Sequence, residues 1–331
     1  MEQAIIIIAL LFALINGFHD GCNVIATIVT SRSMSPRSAL VLACIAEFIG
    51  AIALGTAVAL TIGKGILSSQ VFELPMIAIQ KILLSTVIGA ILWNLITWFI
   101  GLPSSSSHAL VGGMVGSGIV SIGLSGVMWN SFFFKVVLPL LLAPLLGFIG
   151  GFIIMKLSVA IFRNHKPSIA IVFKKVQAVT MIFLAGSHGS NDAQKAMGII
   201  ALSLTACGSG SFSVPLWVMV SCAAAISFGL SFGGWRIIKT IGKQVSKMTP
   251  LHSFDSQISS GLIVYFSSIL GFPVSTTQVV GSSVMGVGAG YKAKSVRWSI
   301  TKDILTAWLI TIPASGLMAA ATFMLLTIYM G

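Results

Sequence analysis

From Ile5 to Met330 the chain returns repeatedly to apolar stretches long enough to cross a bilayer, and this pattern limits its fold more than any other feature. In hydrocarbon a backbone must satisfy its own N–H and C=O groups, so stretches of this kind read as helices. About 20 apolar residues make one crossing. On that measure the segments are 3–30, 38–62, 81–100, 104–128, 132–155, 176–205, 214–235, 251–270, 274–290 and 303–329. Composition agrees, since 56% of the 331 residues are hydrophobic and only 8% are charged, too few to cover a soluble domain. The expectation is an all-α integral membrane protein of about 10–12 segments, multi-pass in the cell (plasma) membrane. The first segment lacks a basic leader and a clear cleavage site, so it reads as part of the mature protein.

The formal net charge of +12 would suggest nucleic acid in a soluble protein. Here the basic residues lie between apolar segments, where they set orientation and meet anionic membrane lipid; no nucleic-acid partner is expected. Arg32 and Arg37; Lys156, Arg163, Lys166, Lys174 and Lys175; Arg236, Lys239, Lys243 and Lys247; and Lys292, Lys294, Arg297 and Lys302 fall in four loops. Lys64, Lys81 and Lys135 fall on the opposite side. Positive residues stay inside, so the four loops are expected to face the cytoplasm and both termini to face out. Cys22, Cys44, Cys207 and Cys222 sit in apolar stretches without CxxC spacing and read as inert thiols; no metal site or cofactor is expected.

Two blocks recur in the same order. Asn16–Asn23 (NGFHDGCN) aligns with His188–Lys195 (HGSNDAQK) at an offset of 172, which places Asp20 on Asp192 and His19 on Asn191. Gly101–His108 (GLPSSSSH) aligns with Gly271–Gln278 (GFPVSTTQ) at an offset of 170, which places Pro103 on Pro273. Residues 1–155 and 176–331 thus read as two repeats joined by a basic cytoplasmic linker, 156–175. Each repeat holds an odd number of spans, so the second is expected to be inverted relative to the first. In that architecture the site lies between the repeats near the midplane.

Asp20, Glu47, Asp192 and Lys195 are ionisable residues inside apolar segments. Each costs roughly 2.5–3.5 kcal/mol to insert, so function is the first reading, with the three carboxylates as candidate coupling-ion ligands. Asp192 and Lys195, spaced i, i+3, could instead simply neutralise one another. Asp20 has no cation near it in sequence, and an incoming cation or a proton would relieve its burial. The two proline blocks read as broken or re-entrant helices: the proline ends one run, and the hydroxyls of Ser104, Ser105, Ser106 and Ser107, or of Ser275, Thr276 and Thr277, cap the next. Such a start offers free N–H groups to an oxyanion, although small hydroxyl residues also serve close helix packing. His19, His108, His188 and Gln278 stand beside these elements as candidate relay residues or hydrogen-bonded neutrals. No nucleophile–base set and no P-loop is present, so neither an enzyme nor a nucleotide-driven pump is expected.

These blocks resemble the inorganic phosphate transporter (Pit) family over nearly the whole chain. Asn16–Asp20 with Asn23 is similar to the first signature of its bacterial low-affinity permeases, and Ser187–Asp192 with Gln194 and Lys195 is similar to the second. The resemblance implies secondary import of inorganic phosphate, alone or as a divalent metal–phosphate complex, by symport with protons or sodium. It also implies that Asn23 and Asn191 line the site, that the two Ser/Thr turns grip phosphate, and that the chain forms a homodimer. Gly21-Cys22, and Gln257 where the family often has Glu, depart from its pattern. A sulfate or other oxyanion permease of the same architecture is the alternative, and a passive anion channel a more distant one.

Overall fold

The computed structural model describes all residues except Pro103, 164–168, 209–210, 235–237, 241–247 and 331, together with the backbone alone at 300, 301, 303, 304 and 330. Pro103, and the basic residues Lys166, Arg236, Lys243 and Lys247 used for orientation, lie outside the described residues. Twelve helices organise the rest: α1 (Glu2–Asp20), α2 (Cys22–Thr30), α3 (Pro36–Ala53), α4 (Ala57–Lys64), α5 (Met76–Ile100), α6 (Ser106–Ile122), α7 (Trp129–Phe162), α8 (Ile169–Ala206), α9 (Leu216–Ser231), α10 (Pro250–Ile269), α11 (Thr276–Tyr291) and α12 (Trp298–Met330). Among the described residues β pairing is confined to one bridge, between Leu67 and Val127.

Seven of the helical stretches are long and apolar enough to cross a membrane: Glu2–Thr30, α3, α5, Ser106–Gly126, α7, α8 and Leu305–Tyr329 within α12. The chain is an all-α, multi-pass membrane protein. Its outer surface is lipid-like, with Leu309, Leu317 and Ile328 each more than 70% exposed. Three expected spans do not meet that measure, each for a visible reason. α9 and α11 have 16 residues, about 24 Å of helix, against a hydrocarbon thickness of about 30 Å. α10 has the length but buries His252, Ser253, Asp255, Ser256, Gln257, Ser259 and Ser260, so its polarity is hidden inside the bundle. The expected 38–62 segment is divided into α3 and α4 around Gly55, whose φ is +83°.

Helix ends follow local chemistry. Ser35 accepts a hydrogen bond from the Ser38 N–H, with Pro36 at the first helical position of α3, and Thr249 does the same for His252 ahead of Pro250 in α10. α5 and α10 both end on a left-handed glycine, Gly101 (φ +80°) and Gly271 (φ +75°), a conformation that suits a residue without Cβ.

The packing repeats when the halves are exchanged. α1 lies on α9 as α8 lies on α3; α6 lies on α12 as α11 lies on α7; α1 lies on α5 as α8 lies on α10. The crossings are made close by glycines at equivalent positions. A Cβ on Gly17 would sit 1.9 Å from the Ile226 carbonyl oxygen, and one on its repeat mate Gly189 would sit 2.1 Å from that of Glu47. Such backbone-to-backbone approach is how helices associate where lipid removes the hydrophobic drive. The second of these crossings brings Glu47 of α3 against α8, and so sets up the site.

Candidate functional site

The two broken elements are built alike. After Gly101 the Leu102 N–H returns to the Thr97 carbonyl (3.0 Å), and after Gly271 the Phe272 N–H returns to that of Ser267 (2.8 Å). Ser105 then caps α6, its Oγ accepting from the His108 N–H at 3.1 Å, and Ser275 caps α11, accepting from the Gln278 N–H at 3.3 Å. Both helices start deep in the protein. Ser104–Ser107 and Ser275–Thr277 are all buried.

Each start meets a carboxylate. Asp20, at the end of α1, accepts from the Ser106 N–H (3.3 Å) and from the Thr277 hydroxyl (2.8 Å). Asp192, midway along α8, lies 3.5 Å from the Thr276 hydroxyl through either oxygen. Thus each Asp touches the helix start of its own half, and Asp20 also touches the other. Lys195 closes the set: its Nζ is 2.8 Å from Asp192 Oδ1 and 3.4 Å from Ser106 Oγ. The expected convergence of Asp20, Asp192 and the two hydroxyl turns is present in the fold.

The surrounding partners are less symmetric. His19 Nδ1 lies 2.7 Å from Asp20 Oδ1, so Asp20 does have a basic neighbour, supplied by the residue just before it in sequence. Adjacent helical residues do not normally face one another, which is why the sequence alone left this pair unseen. His19 Nε2 reaches Thr97 Oγ1 (3.3 Å) and Ser104 Oγ (3.5 Å), and those two hydroxyls are 2.7 Å apart. On the other side His188 links Glu47 Oε1 (2.5 Å) to Asp192 Oδ2 (3.4 Å). Glu47, His188, Asp192 and Lys195 therefore form one continuous, fully buried chain of ionisable groups. Asn23 Nδ2 donates to Thr277 Oγ1 (2.7 Å), and Asn191 Nδ2 donates to the Phe272 carbonyl (3.0 Å) and to Ser268 Oγ (3.2 Å). His108 and Gln278, mates in the repeat, meet each other at 3.1 Å, so the line relating the halves passes between them.

Of the hydroxyls expected to hold substrate, several already have other partners. Ser105 and Ser275 are caps, and Ser107 donates to the Val274 carbonyl at 2.7 Å. Two contributors carry no role in the sequence expectation. Thr97 braces His19, and its signal was the hydroxyl at its repeat mate, Ser267. Gln194 Oε1 accepts from the Val58 N–H (2.8 Å) and the Ala59 N–H (3.2 Å), serving as a remote cap for α4 that no local pattern announces.

Ionisable side chains buried within a lipid-facing bundle, where two similar halves meet, characterise a membrane transporter. The model of the phosphate transporter family matches residues 16–319, and the chain belongs to that family. It is 39% identical over 325 residues to the probable low-affinity inorganic phosphate transporter of Bacillus subtilis (strain 168), covering 97% of this chain and 96% of its relative. A protein of the same description from Rhizobium meliloti (strain 1021) is 37% identical over 96% of this chain and 94% of its own length. Among solved structures, one titled "The sodium-dependent phosphate transporter" superposes with a TM-score of 0.89 at 26% identity, covering 99% of both chains.

Proposed function

We propose that this family member imports inorganic phosphate by symport with a cation, proton or sodium, through a site between two halves of opposite membrane orientation. The observation that carries the reading is the meeting of two capped helix starts with two buried carboxylates. A helix start presents unpaired N–H groups and the positive end of its dipole, which suit an oxyanion. A carboxylate beside it repels that anion unless a cation arrives too, and this links the two cargoes. An inside-negative potential opposes anion entry by roughly 2.3 kcal/mol per charge per 100 mV, so accumulation requires such a link. Inversion is supported by the odd number of expected spans per half, by charge placement, and by packing that repeats when the halves are exchanged.

Asp20, Asp192 and Glu47 are the places for coupling charge in this reading. Ser106, Thr276 and Thr277, with Asn23 and Asn191, stand at the anion. The test is uptake of labelled phosphate into proteoliposomes under imposed proton, sodium or potential gradients. Gradient-driven accumulation that excess sulfate leaves intact is the expected result. Full competition by sulfate would replace phosphate with the wider oxyanion reading, and mere equilibration would replace symport with a channel.

A further inference from the structure

The two halves differ at one position that bears on how many cations travel with each phosphate. At the offset of 172 that aligns Asp20 with Asp192, Asn23 aligns with Lys195. In the first half this position is a neutral amide. Its nitrogen is used on Thr277, and its oxygen, Asn23 Oδ1, is buried beside Asp20's hydroxyl partner without a hydrogen bond among the described residues. An orphaned acceptor near a buried carboxylate is a group that a cation entering the site can satisfy. In the second half a fixed ammonium stands at the corresponding position, 2.8 Å from the Asp192 carboxylate, 3.4 Å from Ser106 Oγ and 0% exposed.

We infer that Lys195 is a resident cation: its ammonium takes the place that, in the first half, is left for an exchangeable coupling ion. The inference rests on the symport reading above and gives it a number, one exchangeable monovalent cation per phosphate instead of two. Two observations support it besides position. Lys195 donates across the interface between the halves, to a residue of the opposite helix start, as a ligand ion at the junction would. Moreover, the lysine stem runs through complete burial, a costly placement for a charge whose only work is to neutralise a neighbour three residues away.

The experiment measures the steady-state ratio of labelled phosphate across proteoliposomes, with the membrane potential clamped to zero and the driving cation gradient varied. The logarithm of the phosphate ratio is plotted against that of the cation ratio, and its slope is the number of coupled cations. Wild type is expected to give a slope of one, and Lys195→Asn, which restores the first half's residue, a slope of two. In an about tenfold gradient the variant then accumulates about tenfold more phosphate relative to outside than wild type does. A wild-type slope of two overturns the inference, and so does a Lys195→Asn slope equal to wild type. The wild-type slope needs no substitution, so a misfolded variant cannot shelter the idea. Absence of gradient-driven phosphate uptake in wild type is a different result, and it refutes the symport reading itself.

Discussion

Asp20 and Asp192 occupy the same frame and have different company. Asp20 is met by a histidine and a threonine hydroxyl, groups that are neutral or gain charge only with a proton. Asp192 is met by a lysine and by a histidine that joins it to Glu47. The repeat therefore preserves where charge is held, while each half settles separately how that charge is balanced. Two helix starts and two carboxylates recur in the two halves, while a few of their neighbours differ.

The most forceful way to break this comparison is to neutralise each carboxylate in turn. Asp192→Asn leaves the Lys195 ammonium buried without a counter-charge, a loss of about 3–5 kcal/mol in stability. Asp20→Asn removes an acceptor from the Ser106 N–H and the Thr277 hydroxyl, for which about 1–3 kcal/mol is expected. Both variants should lose phosphate accumulation, but only the first should unfold markedly earlier in a denaturant titration of the detergent-solubilised protein. The double variant Asp192→Asn/Lys195→Met, with no charge left unpaired, should regain much of that stability while remaining inactive. Equal stability losses for the two single variants would falsify the view that the halves balance their charge differently.

A smaller effect examines what the halves share. Ser105 and Ser275 cap α6 and α11 through the same bond to the residue three positions on. Alanine at either position should cost about 1 kcal/mol, the usual value for a lost N-cap. The two losses should agree with each other, and each should lower the apparent affinity for phosphate by loosening the helix start. A large difference between them would mean that one break is held mainly by its surroundings, and the likeness of the two elements would then be only local.

Much of this was legible in the sequence because it is encoded at short range. Gly-x-Pro followed by hydroxyls specifies a helix end and a new cap within eight residues, and both breaks occur where that pattern stands. The repeat offset paired Asp20 with Asp192 without any structural knowledge. What stayed hidden is set by crossings between distant segments. Nothing near Glu47 names His188, 141 residues away, as its partner. That contact exists because glycines let α3 and α8 approach to backbone distance. Likewise the serine run does not say which hydroxyls serve as caps. Ser105 and Ser107 read like Ser106, yet the first caps its helix, the second binds Val274, and Ser106 meets Asp20 and Lys195. That α10 falls short of a plain span also follows from context, since its polar face is covered by neighbours that hydropathy does not register.

The finest test of the comparison lies where the halves touch at equivalent positions. His108 and Gln278 are repeat mates, and the Gln278 Nε2 amide donates to His108 Nδ1 at 3.1 Å. If the surroundings of the two positions are nearly interchangeable, then the exchange His108→Gln/Gln278→His should rebuild the same bond in the opposite direction. Its stability should stay within about 1 kcal/mol of wild type, the scale of one neutral hydrogen bond. By contrast, His108→Leu alone strands a buried amide donor and should cost about 1–3 kcal/mol. Both numbers come from the same denaturant titration, so their difference is insensitive to the detergent. An exchange variant as unstable as His108→Leu would show that each helix start has become specific to its own half even at the line relating them. A neutral exchange would confine the divergence of the halves to the shell around Asp20 and Asp192, where the proposed coupling to a cation would be decided.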